Sequence, residues 1–122
     1  MPNLRVTEIK AFLPARDFEL SKRFYQDLGF TMASEGGGVA YFHHENASFL
    51  LQDFCVDEHI QSFMMHLLVE SVDDWHQKIT DSGLAEKYNI EVGEIELKPW
   101  RMQDFRLFDP SGVLWLIAQN VE

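Results

Sequence analysis

A chain of 122 residues, 46% hydrophobic and 25% charged, has the size and balance of an ordinary globular domain. Twenty acidic against ten basic residues leave a net charge of -10, which repels phosphate backbones, argues against nucleic acid as a partner and suits a cationic small molecule. No apolar run reaches the ~18 to 20 residues that span a bilayer, the opening MPNLRVTEIK lacks the apolar core of a secretory signal, and the lone Cys55 can close no internal disulfide; no membrane partner and a cytoplasmic location are therefore expected.

The segment from Val6 to Ala15 has strand composition, with Glu8 to Leu13 as the strand proper, and it runs through Pro14 into Asp17, whose carboxylate can cap a helix. Phe18, Ser21, Phe24, Tyr25 and Leu28 recur at helical spacing, and Gly29 can end the helix, so residues 18 to 28 are expected to be helical. The closing strands of this half are Val39 to His43 and Ser48 to Asp53, joined by the turn residues His44, Glu45 and Asn46. Asp53, Asp57 and Glu58, at and beyond the end of the first half, read as a solvated linker, the alternative being carboxylates that attract a cationic tail, with His59 in a loop.

The same order returns 54 residues later: Met64 to Val69 is an apolar strand, Ser71 aligns with Asp17 and Gly83 with Gly29. Ser71 also opens a capping pattern with Asp74. The last pair, Phe105 to Phe108 and Val113 to Gln119, lies at an offset of 66, so the second half carries about twelve extra residues around Ala85 to Trp100, with Ile90 to Leu97 as a further strand candidate. The expected architecture is α+β: one domain over residues 1 to 122, built of two βαβββ modules at about 4 to 54 and 62 to 121. Together they would form a curved mixed sheet with helices on one face and a concave ligand face on the other.

The strings LPARDFELSKRFYQDLGF at 13 to 30 and FDPSGVLWLIAQN at 108 to 120 resemble the glyoxalase, bleomycin-resistance and extradiol-dioxygenase superfamily, over essentially the whole chain. The LP-x-RDF entry, the tryptophan before the last hairpin and the LIAQN ending are most similar to bleomycin-resistance proteins. That resemblance implies a homodimeric protein of antibiotic resistance that sequesters a ligand, and an open, partly apolar sheet face is a physical reason to expect pairing.

Metal-dependent members of the superfamily resemble one another in offering His and Glu ligands from the first and last strand of each module. The matching positions here are Lys10, His66, Leu50 and Leu116. One imidazole beside an ammonium and two isobutyl groups holds no divalent ion, so neither metal nor other cofactor is expected. His43 and His44 are consecutive on a strand and point to opposite faces, and His76 falls on a helix exterior.

Alternation along the strands puts Glu8, Lys10 and Phe12 on the open face with Met64, His66, Leu68, Leu114, Leu116 and Ala118, while Ile9, Ala11, Leu13, Met65, Leu67, Val69, Val113, Trp115 and Ile117 lie under the helices. Trp100, after Pro99, resembles the tryptophan that bleomycin-resistance proteins place against a planar ligand, and Tyr41 and Phe105 are candidates to flank the groove. The expected ligand-binding set is thus Phe12, Tyr41, Leu50, Met64, His66, Trp100, Phe105 and Leu116. The leading reading is a metal-free protein that sequesters a planar, cationic compound. The alternatives are an enzyme (lyase, isomerase or dioxygenase) with an atypical site, for instance acid-base catalysis by His66 with Glu8 or Lys10, and a non-catalytic accessory module.

Overall fold

The computed structural model describes residues 2–121. In chain order it contains β1 (Phe12–Pro14), α1 (Phe18–Leu28), β2 (Thr31–Gly36), β3 (Val39–His44), β4 (Ala47–Gln52), α2 (Asp57–Ser62), β5 (Met64–Leu68), α3 (Val72–Ser82), α4 (Leu84–Tyr88), β6 (Glu96–Lys98), β7 (Met102–Phe108) and β8 (Leu114–Asn120). The strands order as β1-β4-β3-β2 and β5-β8-β7-β6, the first pair parallel and the others antiparallel in each sheet. The chain is therefore two βαβββ modules, as the repeat implies. Each module closes its own four-stranded sheet, and among the described residues no hydrogen-bonded pairing joins β1 to β5 into one continuous sheet.

The two long helices start where their caps stand. Asp17 accepts from the Leu20 amide at 3.1 Å and Ser71 from the Asp74 amide at 3.2 Å, each satisfying a donor that has no partner within the helix. Gly83 ends α3 at φ 70°, in the left-handed region where a Cβ would be strained. Helix α1 packs on β2 and β4, α3 on β7 and β8, and α4 touches both helices.

Under the helices the strands present one apolar row per module. Leu13, Leu51 and Ala40 align across β1, β4 and β3, all 0% exposed. Leu67, Ile117 and Phe105 align across β5, β8 and β7. These rows belong to one core that continues from one module into the other, with Tyr25 of α1 in ring contact with Phe42, Phe49 and Trp115.

A polar pin crosses the same boundary. The Tyr25 hydroxyl donates to Asp109 Oδ2 at 2.5 Å and accepts from Trp115 Nε1 at 2.9 Å. Asp109 Oδ1 accepts from the amides of Ser111, Gly112 and Val113, each at 2.9 Å, which holds the Asp-Pro-Ser-Gly turn. Burial pushes both Asp109 and Tyr25 above their ordinary pKa values, the neutral form of each being easier to keep from water.

Several local expectations change. The first strand is confined to Phe12–Pro14, and Ile9, expected under the helices, is 89% exposed. Only the Ala11 carbonyl, accepting from the Leu50 amide, extends the ladder backward, so the alternation that placed residues 6 to 11 has no sheet to act on. The linker folds into the short helix α2, and the twelve extra residues supply α4, a single bridge between Val92 and Leu107, and the three-residue β6. His59 sits in α2 rather than in a loop. His76 is turned inward: its Nε2 lies 3.0 Å from the Gly93 carbonyl and its ring meets Phe105 edge-on at 4.8 Å.

Candidate functional site

The faces away from the helices carry the predicted residues in register. In the first module Phe12 pairs with Leu50 and Leu50 with Tyr41, so these three form one row across β1, β4 and β3. In the second, His66 pairs with Leu116 and Leu116 with Arg106, while Met64 pairs with Leu114 one step along the same face. Phe12 is 51% and Met64 56% exposed, unlike the buried rows behind them.

Phe105 does not join these residues. It pairs with Ile117 in the covered row, is 1% exposed and packs against His76, so it supports the sheet from the helix side. A one-residue change of register reverses facing, and the β7–β8 pairing puts Arg106, not Phe105, outward. Trp100 stands at the tip of the β6–β7 hairpin, 64% exposed, beside Arg101 in the left-handed region at φ 63°. The indole is free to stack but belongs to neither row.

Among the described residues, clefts border these faces, of which three bear on the site. One of about 660 Å³ lies between the β3–β4 turn and the start of α3, with His44, Glu45, His66, Glu70, Asp74 and Trp75 on its walls. A second of about 320 Å³ shares Asn46, Ala47, His66 and Leu67 with it and reaches Glu8 and Ser48. The third, also about 320 Å³, is walled by Phe12, Pro14, Phe54, Val56 and Phe63. Phe12 and His66 line these clefts, whereas Tyr41, Leu50, Met64, Trp100 and Leu116 line none of the three.

The donor set does not fit a divalent metal. Pairing shows that Phe12, rather than Lys10, is the counterpart of His66, because Phe12 faces Leu50 as His66 faces Leu116. The four equivalent positions are thus Phe12, Leu50, His66 and Leu116, with one nitrogen ligand among them. Among the described residues no group of three or more His, Cys, Asp or Glu side chains is placed to hold an ion.

The site also contains an ionised cluster that alternation alone did not assemble. Glu8 accepts from Lys10 Nζ at 2.7 Å and from the Tyr41 hydroxyl at 2.8 Å. Lys10 above all, then Ser48 and Tyr41, hold the Glu8 carboxyl down to about 2, while the same contact with Glu8 raises the Tyr41 phenol. A carboxylate so held stays anionic near neutral pH and is a poor proton acceptor, although Glu8 and His66 border the same cleft. The arrangement is suited to holding charge in place.

Two modules of this topology, with helices on one face and open rows on the other, are the architecture implied by the strings at 13 to 30 and 108 to 120. The family model of the Glyoxalase/Bleomycin resistance protein/Dioxygenase superfamily matches residues 6–117, and the chain belongs to that superfamily. Among solved structures it is similar to a bleomycin-binding protein complexed with bleomycin, at 21% identity over 94% of this chain and 99% of that one, TM-score 0.78. A bleomycin resistance determinant encoded on the transposon Tn5 is similar at 22% identity over 93% and 98% of the two chains, TM-score 0.78. An antibiotic-binding protein from Streptomyces sp. CB03234 is similar at 20% identity over 97% and 99%, TM-score 0.76. At these identities the likeness establishes the fold. No curated protein sequence matches the chain.

Proposed function

We propose that this protein binds and sequesters a planar, cationic small molecule, without a metal or other cofactor, as a cytoplasmic homodimer whose open sheet faces build the ligand grooves. The observation that carries this reading is the pair of open rows, Phe12–Leu50–Tyr41 and His66–Leu116–Arg106, in which Phe12, Leu50 and Leu116 occupy three of the four positions where ligands to a metal would stand. Such a surface favours a flat apolar body. The charge of -10 favours a cation in front of it. Structural neighbours described as a bleomycin-binding protein and an antibiotic-binding protein are consistent with this reading.

Pairing has its own support. Phe12, Phe54, Met64, Leu68 and Leu97 are each more than half exposed, and in the segment before β1 Leu4, Val6 and Ile9 are 82% to 89% exposed. A lone chain leaves these groups in water, and a second copy is a surface that would cover them.

The direct test is a titration of the full chain with bleomycin and a panel of planar cationic compounds, followed by tryptophan fluorescence and calorimetry. Saturable binding with quenching is expected. Absence of heat and of quenching across the panel would overturn the ligand reading and leave the accessory-module alternative.

A further inference from the structure

We infer that the Glu8 carboxylate and the face of the Tyr41 ring form a subsite for the cationic group of an organic ligand, and that Lys10 of the same chain occupies this subsite until the ligand displaces it. The inference rests on the ligand-binding reading above and names where the ligand's positive charge is held.

The geometry is that of a cation already bound. Lys10 Nζ lies 2.7 Å from Glu8 Oε1 and 5.2 Å from the centre of the Tyr41 ring. The other oxygen of the same carboxylate accepts from the Tyr41 hydroxyl at 2.8 Å, which fixes the ring beneath the ammonium. The ammonium stands over the ring face, where the ring quadrupole can act on it, and the pair remains in contact with water. On the ring's flank lies His43, its centre 5.8 Å from that of Tyr41.

Two features make the occupant displaceable. Lys10 and Glu8 are two residues apart in a segment that forms neither helix nor strand, so withdrawing the ammonium breaks no ladder of the sheet. Ion pairs in contact with water are weak competitors, because solvent screens them and ordering a long side chain opposes them. A ligand ammonium recovers the same carboxylate and the same ring face.

The surroundings specify the rest of the ligand. From Tyr41 the row continues to Leu50 and Phe12, one strand spacing each. At about 4.8 Å per strand this gives an apolar floor roughly 10 Å long. The class that fits is an aromatic body carrying an ammonium or amidinium at one end, with the charge over Tyr41 and the flat part over Leu50 and Phe12.

The experiment compares benzyltrimethylammonium with neutral benzyl alcohol on the full chain by calorimetry. Lys10→Met is expected to tighten binding of the cation by about fivefold or more and to leave the alcohol unchanged. Adding Glu8→Gln to that variant should abolish the gain, and Tyr41→Leu should weaken the cation selectively. An affinity of Lys10→Met for the cation equal to or below that of the unmodified chain overturns the proposal, as does tightening of both probes alike. Independently of any variant, saturating cation should move the NMR signals of the Lys10 Cε protons, which lie in the ring current of Tyr41, toward those of a free lysine; unmoved signals also overturn it. No detectable cation binding to either form removes the subsite, whereas the ligand reading itself stands or falls on the bleomycin titration.

Discussion

Replacing Tyr25 by Phe removes one oxygen atom from the joint between the modules and leaves the ring contacts with Phe24, Phe30, Phe42, Phe49 and Trp115 in place. Two groups lose their partner: Asp109 Oδ2, which accepted the hydroxyl proton, and Trp115 Nε1, which donated to the hydroxyl oxygen. An orphaned buried polar group costs about 1 to 3 kcal/mol, and more where a charge is involved, so the two together predict a loss of about 3 to 5 kcal/mol. Against a typical domain stability of about 5 to 15 kcal/mol this is a large share, and it corresponds to a fall in Tm of about 10 °C or more. Urea titration followed by tryptophan emission, with the buried Trp115 as reporter, measures it. The pH dependence has a definite sign. Burial already raises Asp109, and the Tyr25 hydroxyl opposes that rise, so Tyr25→Phe raises it further. A carboxyl whose folded pKa lies above its unfolded value destabilises the fold fully above the folded pKa, and this penalty fades as pH falls through it. The deficit of Tyr25→Phe should therefore be widest at high pH and shrink on acidification. A loss below about 1 kcal/mol, against the range for orphaned groups, or a deficit that grows at low pH, would refute the reasoning.

Trp100→Ala should weaken binding of a planar cation by about 1 to 3 kcal/mol, with Trp100→Phe losing less, while the Tm stays within a few degrees because the indole is 64% exposed. Full affinity in Trp100→Ala would place the stacking surface elsewhere. Light scattering at tens of micromolar protein should give a dimer mass, and a monomer would contradict pairing. Plasma emission spectrometry should find less than one Zn, Fe, Mn or Ni per chain after dialysis, since the equivalent positions hold one nitrogen donor; one retained ion whose loss follows His66→Ala would sink the metal-free reading. His76→Ala should lower stability by about 1 to 3 kcal/mol through the lost contacts to the Gly93 carbonyl and the Phe105 ring, measured by the same urea titration.

Local chemistry carried much of the reading. The bounds of α1, the caps Asp17 and Ser71, and the left-handed Gly83 follow from interactions within four residues, which a linear pattern displays in full. The two-module repeat was legible because equivalent strands and helices need equivalent periodicities, and the absence of donors at Leu50 and Leu116 because leucine has none to offer wherever it points. What tertiary structure decided was partnership. Whether Glu8 to Ala11 is a strand depends on an edge to pair with, and here the ladder begins only at Ala11. The outward side of β7 depends on its register with β8, and that pairing turned Phe105 under the helices and brought Arg106 to the open face. The Tyr25–Asp109 pin joins residues 84 positions apart, and the Glu8–Tyr41 contact 33. Periodicity reports how often a side chain returns to one face, but the chain that meets it there is set by packing between distant segments, and both the open rows and the ionised cluster beside them are products of that packing.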